Sequence, residues 1–356
     1  MRAAARTAST PAARPADLVP ALLDEYGGKA KESLRDYLGS RGSGHLAYLY
    51  DLLRDYPSRG GRSLRPSLCI AATKAFGGSL AEALNSAVAL EILHNAFLIH
   101  DDVEDLSEQR RGRPTMHELH GVPLAVNAGD AMTVLSLRPL LDNCRTLGTY
   151  AAFRVLEEAE RMGREAVEGQ ALELGWRREN AVDLDEADYL RMVLKKTCSY
   201  TTIFPIRVGA IVAGQDGPLL DRLGHFAFLL GAAFQIQDDL LNLTGDPKAY
   251  GKETAGDLWE GKRTLMLIHL LGSVGPEDKA FLRRHLGMPR EQIQASDVAR
   301  IRALMDEHGS IEYGRAIAHG CAGAALHEFG VAFAGVPPSA DRDFIEELCT
   351  WVLRRA

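Results

Sequence analysis

No stretch of the chain strings together the ~18–20 apolar side chains that a bilayer crossing needs. The sequence also lacks paired Cys-x-x-Cys spacings: its 5 cysteines (Cys69, Cys144, Cys198, Cys321, Cys349) are scattered through 356 residues. That pattern excludes a disulfide framework and a cysteine zinc site, and fits reduced thiols in a cytoplasm. An excess of positive charge is missing as well. The formal net charge is −7, so a nucleic-acid surface and electrostatic attraction to an anionic membrane are not expected. Alternating polar and apolar runs of the strand kind are absent. The opening "MRAAARTASTPAARPAD" holds no acidic residue before Asp17 and no apolar core. It cannot be a secretory signal; despite a faint likeness to an organellar transit peptide, residues 1–15 read as a disordered tail.

What remains is helical. Ala, Leu and Glu are frequent, and apolar positions recur at spacings of three and four. The pattern predicts helices near 16–38, 45–56, 64–76, 79–106, 122–142, 148–176, 185–213, 217–243, 260–272, 277–286, 291–308, 311–333 and 340–354. "PSRGGRS", "GQDGP", "LTGDPKAYGKETAGD" and "AGVPPSAD" break them with turn chemistry. None of these breaks reads as a linker, and no repeat is visible. The expectation is all-α: residues 16–356 as one large helical bundle around a central apolar cavity.

Two of the predicted helices contradict themselves. "SLAEALNSAVALEILHNAFLIHDDVED" is apolar almost all round, as a buried helix should be, yet it ends in aspartates. "LLDRLGHFAFLLGAAFQIQDDLLNLTGD" does the same. Charged groups at the end of a core helix are costly unless paired or metal-bound. Residues four apart share a helix face, so Asp101 and Asp105 point the same way with Asp102 alongside, while Gln235, Asp238, Asp239 and Asn242 form a stripe. One such cluster reads equally well as a solvated helix end; two of them point to a function. Hard oxygen ligands in that number suit Mg²⁺, which keeps waters and is commonly shared with substrate phosphates.

A diphosphate held between two acidic rows still needs cations. "RRG" at 110–112, "KKT" at 195–197, Lys252 and "EGKRT" with Lys262 supply them. "GGRSLRP" at 60–66 suggests a second anion site, because its glycines let the backbone approach closely and Arg62 and Arg65 open a helix. His94, read alone, is an ordinary core histidine.

Together, "HDDVEDLSEQRRGRPT" and "FQIQDDLLNLTGD…GKETAGDLWEGKRT" resemble the two aspartate-rich motifs of the trans-isoprenyl diphosphate synthases, the polyprenyl synthetase family. "GGRSLRP", "EILHNAFLIHDD" and "LKKTCSYT" fall in the expected order, so that the resemblance covers roughly residues 45–270. It implies an all-helical bundle around a deep cavity, a homodimer, and about three Mg²⁺ ions shared with the substrate diphosphate. It implies metal ligands at Asp101, Asp102, Asp105, Asp238, Asp239 and Asn242. Contacts to an allylic diphosphate (dimethylallyl, geranyl or farnesyl) are implied for Arg110, Lys196, Thr197, Gln235, Lys252 and Lys262. Contacts to isopentenyl diphosphate are implied for Arg65, His94 and Arg111, with Arg62 standing where the family usually has lysine.

The resemblance implies ionisation, condensation and elimination of a proton to the released diphosphate, with no protein base. Phe97, one turn before Asp101, and its neighbour Ala96 are expected to set product length. The product expected is short, geranylgeranyl or farnesyl diphosphate, the former favoured. The alternative of the same fold is a terpene cyclase, which needs no isopentenyl site. A metal phosphohydrolase would want more metal-spaced histidines than the 11 present offer. A non-catalytic partner subunit would not be expected to keep both aspartate motifs. Residues 280–356 carry no assignable motif and read as amphipathic helices closing the bundle.

Overall fold

The computed structural model describes residues 18–39, 44–245 and 255–355. The expected tail over 1–15 and Lys252 lie outside the described residues. The helices are α1 (Leu18–Gly39), α2 (Ala47–Ser58), α3 (Leu64–Ala75), α4 (Leu80–Glu104), α5 (Met116–His120), α6 (Val122–Thr146), α7 (Thr149–Arg178), α8 (Glu186–Val193), α9 (Phe204–Val212) and α10 (Pro218–Thr244). From residue 255 on come α11 (Gly256–Trp259), α12 (Leu265–Ser273), α13 (Pro276–Leu286), α14 (Ala295–Glu307), α15 (Ser310–Ala332) and α16 (Ala340–Trp351). Among the described residues there are also short 3₁₀ turns, a π-helical segment and a two-stranded ribbon.

Local chemistry explains the boundaries. The Ser79 hydroxyl accepts from the Glu82 amide while the Glu82 carboxylate takes the Ser79 N–H, a reciprocal cap that starts α4. Asp185 and Asp188 repeat the device at α8. α6, α10 and α13 carry proline in the first turn, where its missing N–H costs nothing.

α4 is buried on two faces, as its all-round apolarity predicts. Ala83, Ala87 and Leu90 join the large core of α3, α9 and α10, whereas Val88, Ile92, Ala96 and Ile99 pack against α2 and α6. α10 is likewise shared: Phe226, Leu230 and Ala233 enter that first core, and Ile236, Leu240 and Leu243 enter a second with α12 and α14. By length and average apolarity α10 could cross a bilayer, but half of its most apolar window is buried in the protein. It is a core helix.

Two features depart from the expected pattern. Residues 185–213 do not form one regular helix: Leu194–Ile203 widens into a π-helical segment between α8 and α9. Pro205 has no N–H to continue the ladder, and the hydroxyls of Ser199 and Thr202 bond the carbonyls of Lys195 (2.6 Å) and Cys198 (3.2 Å). The widened segment is wedged between α7 and α10 at glycines. A Cβ on Gly169 would overlap the Lys196 amide, and one on Gly231 would lie 2.7 Å from Cys198 Sγ. The second departure is a small antiparallel ribbon, Gln109–Arg110 paired with Arg113–Pro114. Its two-residue loop puts Arg111 at φ 55 and Gly112 at φ 71, the geometry of a tight hairpin turn.

Candidate active site

The C-terminal ends of α4 and α10 open into one cavity of about 530 Å³. Asp101 and Asp238 both line it, together with Lys196 and Thr197 from the π segment and Lys262 after α11. The opposed acidic rows inferred from sequence therefore share a single chamber with the cations expected between them.

The three acids of the first row do different things. Asp101 faces the cavity, with Lys196 Nζ 3.2 Å from one oxygen and Arg110 Nη2 3.3 Å from the other. Asp102, 100° further round the helix, is fully buried and outside the cavity lining. Arg110 donates to it from Nε at 2.9 Å and also from Nη2, and Tyr56 donates its hydroxyl at 2.5 Å. Both Asp102 oxygens are thus engaged, one by Arg110 and the other by Tyr56, which argues against the metal role expected for Asp102. Burial opposes the charge on Arg110, but Asp102 outweighs it and holds the guanidinium protonated. Asp105 caps the end of α4, where Arg177 donates to Oδ1 and Lys262 Nζ lies 2.7 Å from Oδ2. Burial pushes the Asp105 carboxyl up to about 6, against the pull of Lys262.

In the second row Asp238 borders the cavity and accepts from Arg355 Nη2 at 3.0 Å. Asp239 is the end of a chain of hydrogen bonds. Thr197 donates to Gln235 Oε1 (2.9 Å), Gln235 donates to Asp239 Oδ1 (2.7 Å), and the Tyr189 hydroxyl donates to Asp239 Oδ2 (2.7 Å). Burial and then the neighbouring Asp257 raise the Asp239 carboxyl well above its ordinary value. Asn242 is buried and outside the lining; its Oδ1 accepts the Asp257 N–H at 3.1 Å. The amide thus positions Asp257, which does line the cavity, in place of itself.

Lys196 and Lys262 are surrounded by acids. Glu173 and Asp101 hold the Lys196 ammonium charged against burial, and Asp105 and Glu260 do the same for Lys262.

A separate cationic corner lies where α3 meets α4. Arg65 donates from Nη2 to Thr201 Oγ1 at 3.0 Å, and its Nη1 is 3.3 Å from His94 Nε2. Arginine has no acceptor, so Nε2 accepts and the imidazole proton sits on Nδ1. Burial first, then Arg65 and Arg111, hold the His94 pKa well below its usual value, so the ring is neutral. Arg111 donates to the Gly60 carbonyl. The need for glycine at 61 lies here: its φ is 127, and a Cβ would come 2.8 Å from Arg111 Nη2. Arg62 also lines the cavity and stacks over Trp351, 5.4 Å from the ring centroid. Glu91 lines this corner too, and burial raises its carboxyl.

Phe97 reaches the cavity, meeting Tyr200 edge to face at 5.4 Å between centroids. Ala96 does not. It is fully buried in the packing of α4 against α6, about 100° round the helix from Phe97, so the cavity wall at this turn is formed by Phe97 and not by Ala96.

Sequence reasoning missed Glu173 and Arg177 on α7, Tyr189 on α8, Tyr200, Asp257, and Trp351 and Arg355 near the C-terminus. Asp257 stood in the quoted "GKETAGD", and its fixed distance from Lys262 was the one available signal. The segment 280–356 carries no assignable motif, yet its end brings Arg355 onto the second aspartate row.

Among the described residues, no three carboxylate, imidazole or thiol groups converge into a metal cage. The donor chemistry still fits Mg²⁺. Asp101, Asp238 and Asp257 offer hard oxygens around one cavity, and the like-charged Asp239 and Asp257 favour a nearby cation. An ion held there would complete its shell from substrate and water, as Mg²⁺ does.

A family model described as polyprenyl synthetase matches residues 46–305. The chain is 31% identical over 304 residues to the short chain isoprenyl diphosphate synthase of Methanothermobacter thermautotrophicus, covering 83% of this chain and 87% of that one. It is 33% identical over 265 residues to the geranylgeranyl diphosphate synthase of Sulfolobus acidocaldarius, covering 74% and 79%. The crystal structure of geranylgeranyl pyrophosphate synthetase from Pyrococcus horikoshii superimposes with a TM-score of 0.83 at 30% identity, over 95% of this chain and 98% of that chain. With the helical bundle, the two acidic rows and these relatives in place, the chain belongs to the polyprenyl synthetase family and is a prenyltransferase.

Proposed function

We propose that the protein condenses isopentenyl diphosphate with an allylic diphosphate, head to tail and in trans, to a short-chain product of geranylgeranyl or farnesyl length. The observation that carries this reading is that Asp101, Asp238, Lys196 and Lys262 border one cavity that also holds a second cationic corner. Asp101, Asp238, Asp239 and Asp257, which border the cavity, are the acids we assign to metal binding, with Asp239 positioned through Gln235; Asp105, which like Asp102 lies outside the lining, is assigned by its place in the motif. Arg110, Lys196, Thr197, Gln235 and Lys262 are assigned to the allylic diphosphate, with Lys252 by its place in the motif. Arg65, His94 and Arg111 are assigned to isopentenyl diphosphate, with Arg62 in place of the family's lysine.

Bound Mg²⁺, about three ions, would neutralise charge on the departing diphosphate. The chain's own part is to place Lys196, Lys262 and Arg110 where that charge develops. Phe97, Met192, Val193, Tyr200 and Phe234 line the chamber and keep water from the allylic cation, which water would convert to an alcohol. The neutral His94 and the Arg65 guanidinium hold isopentenyl diphosphate by its diphosphate so that the isopentenyl double bond meets the cation. The proton lost afterwards goes to the released diphosphate.

A homodimer is supported by the face of α6. Val126, Val134, Leu137 and Leu141 share one side of it and are 39%, 66%, 50% and 54% exposed, with Tyr150 (71%) and Phe153 (57%) of α7 nearby. Apolar area of that extent calls for a second protein surface. We place the enzyme in the cytoplasm and assign it no nucleic-acid partner or membrane insertion, from its charge and cysteines.

The purified chain is incubated with isopentenyl diphosphate and each of the three allylic primers, with Mg²⁺ and with excess chelator, and its products are chromatographed. Chain growth that stops under chelator supports the reading. Hydrocarbon release from a long diphosphate with no chain growth would replace it with the terpene cyclase.

A further inference from the structure

We infer that Tyr200 determines specificity twice over, its ring being at once part of the floor that limits the growing chain and the platform beneath the isopentenyl diphosphate corner. This rests on the assignment of Arg65 and His94 to isopentenyl diphosphate. Three contacts converge on the one ring. Phe97 meets it edge to face at 5.4 Å, His94 stacks on it at 5.9 Å, and the Arg65 guanidinium lies over it 4.6 Å from the centroid.

That ring belongs to the π-helical segment Leu194–Ile203. Lys196, Thr197 and Tyr200, at i, i+1 and i+4, share one face of it and line the same cavity. The widening is fixed from both sides, by Gly169 of α7 against Lys196 and by Gly231 of α10 against Cys198 and Thr202. Thr201, next in the chain, holds the other arm of Arg65 through its hydroxyl at 3.0 Å. The guanidinium is therefore oriented by two adjacent residues of one rigid segment. A chain growing toward Phe97 presses on the same ring that supports Arg65, so product length and affinity for isopentenyl diphosphate are coupled through Tyr200.

The ring, not the hydroxyl, carries this role, and that makes it testable. Tyr200→Ala, Tyr200→Leu and Tyr200→Phe are assayed for product length and for KM of both substrates, with thermal melting as the check on folding. Y200F, which keeps the ring, should raise the isopentenyl diphosphate KM less than Y200A does and should lengthen the product less. Y200A should lengthen the product by at least one isoprene unit and raise the isopentenyl diphosphate KM about three- to thirtyfold, the worth of one cation–π contact. Its KM for the allylic substrate should stay within about twofold, since Lys196 and Lys262 are untouched. If Y200A does not fold, Y200L decides, because it fills the space but abolishes the cation–π contact; the isopentenyl KM should still rise.

A folded Y200A or Y200L with the parent's KM overturns the inference, and so does a Y200F that behaves like Y200A. Absence of chain growth by the parent protein would instead remove the assignment on which the inference rests.

Discussion

Replacing Asp102 with asparagine separates two roles that a double aspartate leaves confounded. Asp102 is fully buried and accepts from Arg110 Nε at 2.9 Å, from Arg110 Nη2 and from the Tyr56 hydroxyl at 2.5 Å. Asn keeps the shape and one oxygen but removes the charge that neutralises a buried guanidinium. Breaking a buried ion pair from one side costs about 3–5 kcal/mol. For a chain of this size the unfolding entropy is about 0.7 kcal/mol per kelvin, so D102N should melt about 4–7 °C below the parent. Asp101, at the cavity edge between Lys196 and Arg110, is partly solvated, and D101N should melt within about 2 °C of the parent while losing most of its turnover. The assay is a thermal melt of both variants together with an Mg²⁺ titration of product formation. D102N should lower the melting temperature and leave the half-saturating Mg²⁺ within about threefold. A D102N protein that melts with the parent but needs far more Mg²⁺ would make Asp102 a ligand and refute the reasoning.

Three further outcomes are expected. Phe97→Ala opens the floor that Phe97 builds with Tyr200 and should lengthen the product by one or more isoprene units; an unchanged chromatogram removes Phe97 from that role. His94 is held neutral when folded, whereas the unfolded chain binds a proton near the ordinary value of 6.5, so this residue costs stability as pH falls below 6.5, by about 1.4 kcal/mol per pH unit until the folded ring titrates. H94F should therefore lose less stability than the parent between pH 7 and 5 in chemical denaturation, and parallel curves would count against the buried neutral ring. Leu137→Asp, in the middle of the exposed α6 stripe, should convert a dimer into monomers in sedimentation equilibrium, and a monomeric parent would dismiss the proposed interface.

The places where sequence reasoning succeeded and failed have a common cause. Helical periodicity depends on a residue and its near neighbours, so the ends of α4 and α10 were legible from the run of apolar residues that stops at Asp101 and Asp238. The same periodicity grouped Asp102 with Asp101, because adjacent carboxylates look alike until the partner on the next helix is known. That partner is Tyr56, 46 residues earlier. Ala96 and Phe97 were likewise adjacent in sequence but faced α6 and the cavity respectively. The π segment escaped notice because a widened turn keeps the composition of a helix, and its causes (Pro205, back-bonding hydroxyls, two glycines on other helices) act together only after packing.

By itself the sequence determined the helical character, the two acid-terminated core helices, the order of the basic motifs and, through them, the family. Those properties follow from spacing along the chain and from the cost of burying charge without a partner. Only the tertiary structure decided which oxygens face the cavity, that Asn242 serves Asp257, that Tyr200 joins Arg65 to Phe97, and that Arg355 returns from the far end of the chain to Asp238, 117 positions away. Contacts of that kind depend on how separate helices are turned against one another, and side-chain periodicity within a helix carries no record of the neighbour's rotation.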